Sequence, residues 1–250
     1  MRNFDRIFIR GDTHGDFDFL DAFCEKVCTT THDLLIILGD AGINYYPPNH
    51  KRHMALITKL RNMPITLFCI RGNHEDRPED RPEYHSEDVG IGDPVYVSNW
   101  MPNVWFAESV GEYVLNEMKC LVAGGAYSVD KWWRISNGKK WVANEMLTYE
   151  EKYELLQIAE KETWDHIFTH TCPIDWMPRD LFLSGIDQSK VNQDMEHFLQ
   201  NLHDGGNMIK RYPLRFKHWW FGHYHDHRMD VCGDRKVHML YETVVELPSV

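Results

Sequence analysis

Side chains suited to metal binding stand at five places in the chain, each directly after a short apolar segment. A glycine adjoins the polar residues at four of these places. The donor atoms are carboxylate oxygens, imidazole nitrogens and one amide oxygen, which suit hard or borderline divalent cations. Seven such residues exceed the ligands of one tetrahedral site and suit a pair of ions, which can promote an in-line displacement at phosphorus. In chain order the seven are Asp12, His14, Asp40, Asn73, His170, His223 and His225.

The apolar segments that precede these residues are predicted to be buried strands. Residues 6–10, 34–38 and 65–70 alternate with residues 16–28 and 50–62, in which apolar residues have helical spacing. This alternation indicates parallel βαβ units. Ligands of open α/β sheets bind beyond the carboxyl ends of the strands, so the polar residues should converge there. The adjoining glycines allow tight turns and close approach of the backbone.

The second half of the chain is predicted to contain more strands than helices. No repeat or linker divides the chain, so residues 1–250 are expected to form one domain. Residues 76–94 are rich in proline and charge and are predicted to be a long surface loop. The predicted strands are 94–98, 103–108, 111–124, 166–169, 217–221 and 236–246, and the predicted helices are 148–163, with a capping box, and 187–203.

The overall charge and the cysteine usage limit the classes of protein to which the chain can belong. The formal net charge is −11, so the surface repels long nucleic acids unless a basic cleft or metal ions offset it. Cysteines occur without a C-x-x-C pair, which favours free thiols over a disulfide scaffold. Residues 1–5 do not resemble a signal peptide, and no apolar run reaches the roughly 18 residues of a membrane span. We therefore expect a cytoplasmic protein that does not bind membranes.

The order of the polar residues resembles the signature of the calcineurin-like metallophosphoesterases: D-x-H, G-D, G-N-H, H and G-H-x-H. The resemblance spans residues 12–225. It implies an α/β fold, a four-layer α-β-β-α sandwich with mixed sheets, and the hydrolysis of phosphate mono- or diesters. It also implies two divalent transition-metal ions, with manganese most expected and iron, zinc, nickel or cobalt compatible. One ion would be held by Asp12, His14 and His225 and the other by Asn73, His170 and His223, with Asp40 bridging them.

Residues beside these ligands are candidates for direct roles in catalysis. The resemblance implies that His74 is not a ligand but protonates the leaving oxygen or holds the phosphate, which suits a group that titrates near neutrality. Residues 124–134 resemble a stretch of small bacterial and phage phosphoesterases of unassigned substrate. Within this stretch Arg134, or alternatively Lys131, could grip the phosphate. Arg71 is expected to form an ion pair, for instance with Glu75, rather than to contact substrate.

The class of substrate is narrowed by one departure from a related motif. Residues 11–15 and 71–75 also resemble phosphoprotein phosphatase motifs, but residues 39–45 lack the Asp and Arg of that family's G-D-x-V-D-R-G. A small phosphoester or a nucleotide is therefore expected as substrate, with a protein Ser/Thr phosphatase as the alternative. Trp132 and Trp133 are typical of packing residues, although a base or an aryl group could stack on them.

Other interpretations of the same residues are open. Each polar residue taken alone could be a turn former or a buried structural histidine. A catalytically silent metal-binding scaffold is the alternative from another class, although such relatives usually lack ligands and none is missing here. Nuclease activity on long nucleic acids is disfavoured by the negative charge, whereas short oligonucleotides and nucleotides are compatible with it.

Overall fold

Twelve β-strands form two sheets within residues 2–182, 184–205 and 212–249, the ranges that this computed structural model describes. The strands are β1 (Ile7–Arg10), β2 (Leu34–Ile37), β3 (Thr66–Cys69), β4 (Tyr84–Glu87), β5 (Val95–Ser98), β6 (Met101–Ala107), β7 (Val110–Leu115), β8 (Met118–Ala123), β9 (Trp164–Thr169), β10 (Phe216–Phe221), β11 (Val237–Met239) and β12 (Val245–Glu246). The α-helices are α1 (Asp18–Val27), α2 (Lys51–Leu60), α3 (Lys131–Ser136), α4 (Tyr149–Ala159) and α5 (Asp194–Asp204). Short 3₁₀ helices cover Pro78–Asp80, Ile174–Trp176, Arg179–Leu181, Gln188–Lys190 and Val231–Gly233. Among the described helices, none has the length and apolar character needed to cross a bilayer.

Parallel pairing dominates the centre of both sheets. The seven-stranded sheet has the order β12-β1-β2-β3-β6-β5-β4, in which β1, β2, β3 and β6 are parallel and the remaining pairs are antiparallel. The five-stranded sheet has the order β11-β10-β9-β8-β7, in which β8 to β11 are parallel and β7 is antiparallel to β8. Both sheets are therefore mixed. Because their central strands are parallel, the carboxyl ends of β1, β2 and β3 share one edge, as do those of β9 and β10.

Hydrophobic layers join the two sheets and the helices outside them. Between the sheets, Ile36 of the first sheet lies in one buried cluster with Phe168 and Trp220 of the second. Helices α1 and α2 pack Leu20 and Ile57 against the outer face of the seven-stranded sheet. Helices α4 and α5 pack in the same way on the outer face of the five-stranded sheet. The architecture is the predicted four-layer α-β-β-α sandwich.

Continuous apolar segments explain why the central strands lie between two packed layers. Every residue of β2, with the sequence LLII, and of β3, with the sequence TLFC, is buried. Burial of apolar surface, at about 25 cal/mol per Å², is the main force that stabilises such strands. Helix α4 begins at the predicted capping box, in which Thr148 accepts from the Glu151 amide and the Glu151 carboxylate accepts from the Thr148 amide.

Two segments predicted to be single strands are divided in the structure. Residues 111–124 form a hairpin of β7 and β8, with Asn116 and Glu117 in its turn at φ 49° and 68°. Positive φ at both positions gives a tight turn whose twist matches the strands. Residues 236–246 form β11 in one sheet and β12 in the other. The chain between β11 and β12 crosses from sheet to sheet, so the prediction of one strand was wrong.

Two other predictions of local structure were also wrong. Residues 76–94 are not only loop, because they contain β4, which pairs with β5 at the edge of the sheet. The sequence of β4, YHSE, is largely polar because this edge strand is mostly exposed, so it has no apolar periodicity. Helix α5 begins at Asp194 rather than at Asp187. Asp187 instead caps a 3₁₀ turn by accepting from the Ser189 amide.

Candidate metal centre

The turns that follow β1, β2, β3, β9 and β10 meet at one edge of the two sheets and bring the seven predicted ligands together. Backbone amides join the turns, since His223 N donates to Asp12 Oδ1 at 2.9 Å and Asn73 N donates to Asp40 Oδ1 at 2.8 Å. His170 Nδ1 lies 2.8 Å from the carbonyl oxygen of Leu38 and so ties the end of β9 to the end of β2. The convergence expected from parallel strands therefore includes both sheets.

One group of ligand atoms belongs to Asp12, His14 and His225. Donor atoms of these three residues lie within 4.8 Å of one another. His225 Nε2 is 2.9 Å from His14 Nε2 and 3.3 Å from Asp12 Oδ2. Burial alone would raise the pKa of the Asp12 carboxyl, but His170 and His225 hold it below its ordinary value. Asp12 in turn raises the pKa of His225.

A second group of ligand atoms surrounds His170. Asp12, Asp40 and His170 also have donor atoms within 4.8 Å of one another. His170 Nε2 lies 2.8 Å from Asn73 Oδ1 and 3.7 Å from Asp40 Oδ2. The ring centroids of His170 and His223 are 4.9 Å apart, and burial lowers the pKa of His223 to about 3. His223 is therefore neutral at physiological pH, and neutral imidazole is the form that binds a metal ion.

Asp40 lies between the two groups. Its Oδ1 accepts hydrogen bonds from the backbone amides of Asn73 and His74 at 2.8 and 2.9 Å. Its Oδ2 is 3.8 Å from His14 Nδ1, 3.7 Å from His170 Nε2 and 3.9 Å from His74 Nε2. Burial opposes ionisation of Asp40, but His170 and His74 hold the pKa of its carboxyl below the ordinary value. One oxygen is thus fixed by backbone, and the other faces residues of both groups.

A buried acceptor atom lacks a hydrogen-bond partner in this centre, next to a close contact between two ligand side chains. His170 Nδ1 donates to the Leu38 carbonyl, and Nε2 of the same ring lies 2.8 Å from the Oδ1 of Asn73. The Oδ2 of Asp12 is buried and has no hydrogen-bond partner among the described residues. Acceptors in this condition are destabilising unless a cation satisfies them. The donor set therefore fits divalent metal ions.

Strained backbone holds several of the ligands. Four of them have a positive φ, which costs about 1–2 kcal/mol for a residue with a Cβ and is concentrated at functional sites. The φ angles of 49°, 44°, 68° and 52° belong to His14, Asp40, His223 and His225. Two glycines provide the space that these turns need. A Cβ at Gly39 would overlap the His170 imidazole, and one at Gly72 would overlap the Asp40 carboxylate.

His74 and Arg134 stand next to the ligands, on the side of the open cavity. The guanidinium Nη2 of Arg134 is 3.4 Å from His74 Nε2. Arg134 Nε donates to both carboxylate oxygens of Asp130 at 2.8 Å, which fixes the direction of the guanidinium. Burial lowers the pKa of His74. Lys131, the alternative cation, instead places its Nζ 4.1 Å from the ring centroid of Trp141.

Residues 124–147, hereafter the 124–147 segment, connect β8 to α4 and include α3. Arg77 anchors the segment by donating to the carbonyls of Asn144 and Met146 at 3.0 and 3.1 Å. Arg71 donates to the Asn144 carbonyl at 3.2 Å. The expected ion pair between Arg71 and Glu75 is not formed, although the structure describes both residues. Burial raises the pKa of Glu75 to about 7, and this side chain accepts from a backbone amide.

Two residues of the 124–147 segment reach the metal centre and were not predicted. Ser128 Oγ accepts from the amide nitrogen of Asn73 at 2.8 Å and donates to Glu145 at 2.6 Å. Ser128 lies within residues 124–134, but the resemblance of that stretch does not indicate a contact with Asn73, and Glu145 stands in no motif. Trp132 and Trp133 are 67% and 58% exposed, so the prediction that they are packing residues was wrong, and neither lines the cavity described below.

A cavity of about 1120 Å³ opens beside the ligands. The 124–147 segment contributes Tyr127 and Arg134 to the lining of the cavity, which also includes Tyr45, Tyr46 and Arg52. The volume is slightly above the usual range of about 300–1,000 Å³ for small-molecule sites. The cavity therefore gives a small ligand access to His14, His74 and the other centre residues on its wall.

Comparison with known proteins identifies the family of the chain. The profile of the family described as calcineurin-like phosphoesterase matches residues 5–227. No curated protein matches the chain. Among solved structures, TT1561 of Thermus thermophilus is similar, with 14% identity, coverage of 94% of this chain and 88% of that chain, and a TM-score of 0.46. On the family match, the chain belongs to the calcineurin-like phosphoesterases, which are metal-dependent hydrolases of phosphoesters.

Proposed function

We propose that this protein is a dimetal phosphohydrolase that cleaves phosphate mono- or diesters of small or nucleotide-like molecules. The observation that carries the proposal is the convergence of the ligand side chains beside a large cavity, where the buried Oδ2 of Asp12 has no hydrogen-bond partner among the described residues.

The metal sites follow from the two groups of ligand atoms. We assign Asp12, His14 and His225 to one ion and Asn73, His170 and His223 to the other, with Asp40 shared. Oxygen and imidazole donors without thiolate are compatible with Mn²⁺, the ion expected from the family resemblance, and with iron, Zn²⁺, Ni²⁺ or Co²⁺. When bound, such a pair of ions supplies an activated water and neutralises charge on the phosphoryl oxygens.

His74 and Arg134 supply the groups that act on the substrate directly. Burial lowers the pKa of His74, which favours the neutral imidazole, and this side chain can hold a hydrogen bond to the phosphate or relay a proton to the leaving oxygen. Asp130 holds Arg134 so that its Nη2 is directed toward His74 Nε2. There Arg134 can bind a phosphoryl oxygen of the substrate. This arrangement supplies the cation that the motif at residues 39–45 lacks.

The cavity favours small substrates over phosphoproteins. Its walls combine aromatic rings such as Tyr45 and Tyr46 with the cation Arg52, a combination that suits a base or aryl group joined to a phosphate. The net charge of −11 repels acidic phosphopeptides and long nucleic acids at a distance.

A metal-reconstituted substrate panel tests the proposal. The kcat/KM is measured for an aryl phosphate, a bis-aryl phosphodiester, a nucleotide and a phosphopeptide with the Mn²⁺-loaded protein and with its Asp12→Asn variant. Asp5→Asn, an exposed carboxylate before β1, is the matched control. We expect a small ester to be cleaved fastest, and only Asp12→Asn to lose the activity. A phosphopeptide cleaved fastest would favour the protein phosphatase, and no hydrolysis of any ester would favour the scaffold.

A further inference from the structure

A chain of buried hydrogen bonds runs from the 124–147 segment to one metal ligand. We propose that Ser128 and Glu145 are positioning residues that orient the Asn73 amide and thereby set the affinity of the metal site to which Asn73 belongs. The proposal rests on the proposed metal-dependent function and adds to it a determinant outside the family's ligand motifs.

The hydrogen bonds of this chain are short and buried. Asn73 Nδ2 donates to Ser128 Oγ at 2.8 Å, and Ser128 Oγ donates to Glu145 Oε2 at 2.6 Å. The same Oε2 accepts from Trp141 Nε1 at 2.8 Å. The exposed fractions of Asn73, Ser128 and Glu145 are 1%, 1% and 3%, so water does not compete for these groups.

The groups at the two ends of this series of hydrogen bonds determine which atom donates at each step. The indole N–H of Trp141 only donates, so Oε2 of Glu145 is an acceptor and receives the hydroxyl proton of Ser128. Only the lone pairs of Ser128 Oγ then remain for Asn73, which must turn its NH₂ group toward them. The amide oxygen is consequently directed at His170 Nε2, where a metal ion would bind.

The two ends of an amide have nearly the same shape, so hydrogen-bond partners decide which end faces a site. A flipped Asn73 would place N–H groups where the ion needs an oxygen. Substitution of a residue that orients a metal ligand through a hydrogen bond typically changes metal affinity by about 10–100-fold. Ser128 and Glu145 therefore act on the metal through Asn73 and need not touch it.

The position of the 124–147 segment does not depend on these hydrogen bonds alone. Arg77 binds the carbonyls of Asn144 and Met146, and Arg71 also binds that of Asn144. Substitution of Ser128 or Glu145 should thus leave the segment in place. The orienting effect can for this reason be separated from an effect on folding.

Calorimetric titration of the metal-free protein with Mn²⁺ tests the proposal, with the thermal midpoint of the metal-free form as a second readout. Ser128→Ala removes the acceptor, and Glu145→Ala removes the oxygen that receives the hydroxyl proton of Ser128, so that this proton can turn toward Asn73. In both variants we expect one of two ions to bind about 10–100-fold more weakly and the midpoint to stay within about 5 °C. Ser98→Ala, at a buried serine on β5, is the matched control and should bind both ions normally.

The double variant Ser128→Ala/Asn73→Asp distinguishes orientation from packing. A carboxylate presents an oxygen at either end, so binding of the weakened ion should recover toward the wild-type affinity. Normal Mn²⁺ affinity in Ser128→Ala, equal loss of both ions with a large fall in the midpoint, or failure of Asn73→Asp to restore binding would each overturn the proposal. If the wild-type protein itself binds no Mn²⁺ or other divalent ion, the proposed function fails instead.

Discussion

The metal centre is built from two regions of different character. The ligands stand on short turns at the ends of parallel strands, and backbone amides fix both Asp12 and Asp40. The 124–147 segment, in contrast, is mostly irregular and includes only the short helix α3. Side chains of Arg71 and Arg77 hold it in place through backbone carbonyls.

This difference indicates that the two regions have different functions in the metal centre. The strand-end turns depend on the packing of two whole sheets, so they form a rigid frame for the metal ions. The 124–147 segment carries Arg134 toward the open cavity and Ser128 toward a ligand, so it is suited to modify affinity and substrate preference. Substitution of the strand-end ligands should therefore remove metal ions, whereas substitutions in the 124–147 segment should change the affinity of one metal site or the binding of substrate.

Substitution of Asp40 should have the largest effect. In Asp40→Asn, the amide oxygen can still accept from the backbone of Asn73 and His74, so the NH₂ group must face His14 and His170. We expect loss of at least about 100-fold in affinity for both ions, together with loss of activity. Elemental analysis and titration with Mn²⁺ measure the effect, with Asp5→Asn as the control. Retention of both ions at normal affinity would contradict the bridging position.

Substitution of His74 should separate turnover from metal content. His74→Gln keeps a polar side chain but cannot transfer a proton, so we expect kcat to fall by about 10²–10⁴-fold while both ions remain bound. Parallel measurement of kcat and of bound metal checks this. His32→Gln, at an exposed histidine away from the cavity, is the control. If His74→Gln lost a metal ion and kept its rate per metal, His74 would be a ligand.

Substitution of Arg134 should have a smaller effect on the same reaction. Arg134→Ala removes a cation next to His74, and we expect kcat/KM on the best small ester to fall by about 10²-fold with metal content unchanged. Lys131→Ala is the matched control on the same helix, because Lys131 packs on Trp141 instead of facing the centre. Equal effects of the two substitutions would show that α3 acts only through its general positive charge.

The sequence was informative about the strand-end region and much less so about the 124–147 segment. The ligand turns could be predicted because apolar strands, glycines and polar residues are neighbours in the chain, and the parallel sheets then bring distant turns together. Ser128 and Glu145 are 17 residues apart on irregular backbone, so their contact exists only in three dimensions. The polar edge strand β4 and the division between β11 and β12 were missed for a related reason. Pairing partners, and not local apolar pattern, determine these strands.

A cluster of three histidines, two of them buried, lies apart from the metal ligands. His166 stacks on His218 at 5.5 Å between ring centroids, and His218 Nδ1 is 3.1 Å from His238 Nε2. Trp220 Nε1 donates to His166, and the ring centroid of Trp220 lies 4.2 Å from that of His238. Burial, with a further contribution from His218, lowers the pKa of both His166 and His238 to about 4.

The depressed pKa of His166 predicts a specific loss of stability in acid. Below the ordinary histidine pKa of about 6.5 the unfolded chain takes up a proton that the folded protein resists, so stability is full above this pH and falls toward pH 4. Between pH 7 and pH 5 we expect His166 to account for on the order of 1–2 kcal/mol of the loss. The free energy of unfolding in urea, measured on EDTA-treated protein so that metal binding does not contribute, should therefore decline less in His166→Asn than in wild type. His32→Asn is the exposed control, and an equally steep decline in His166→Asn would show that other groups cause the acid sensitivity.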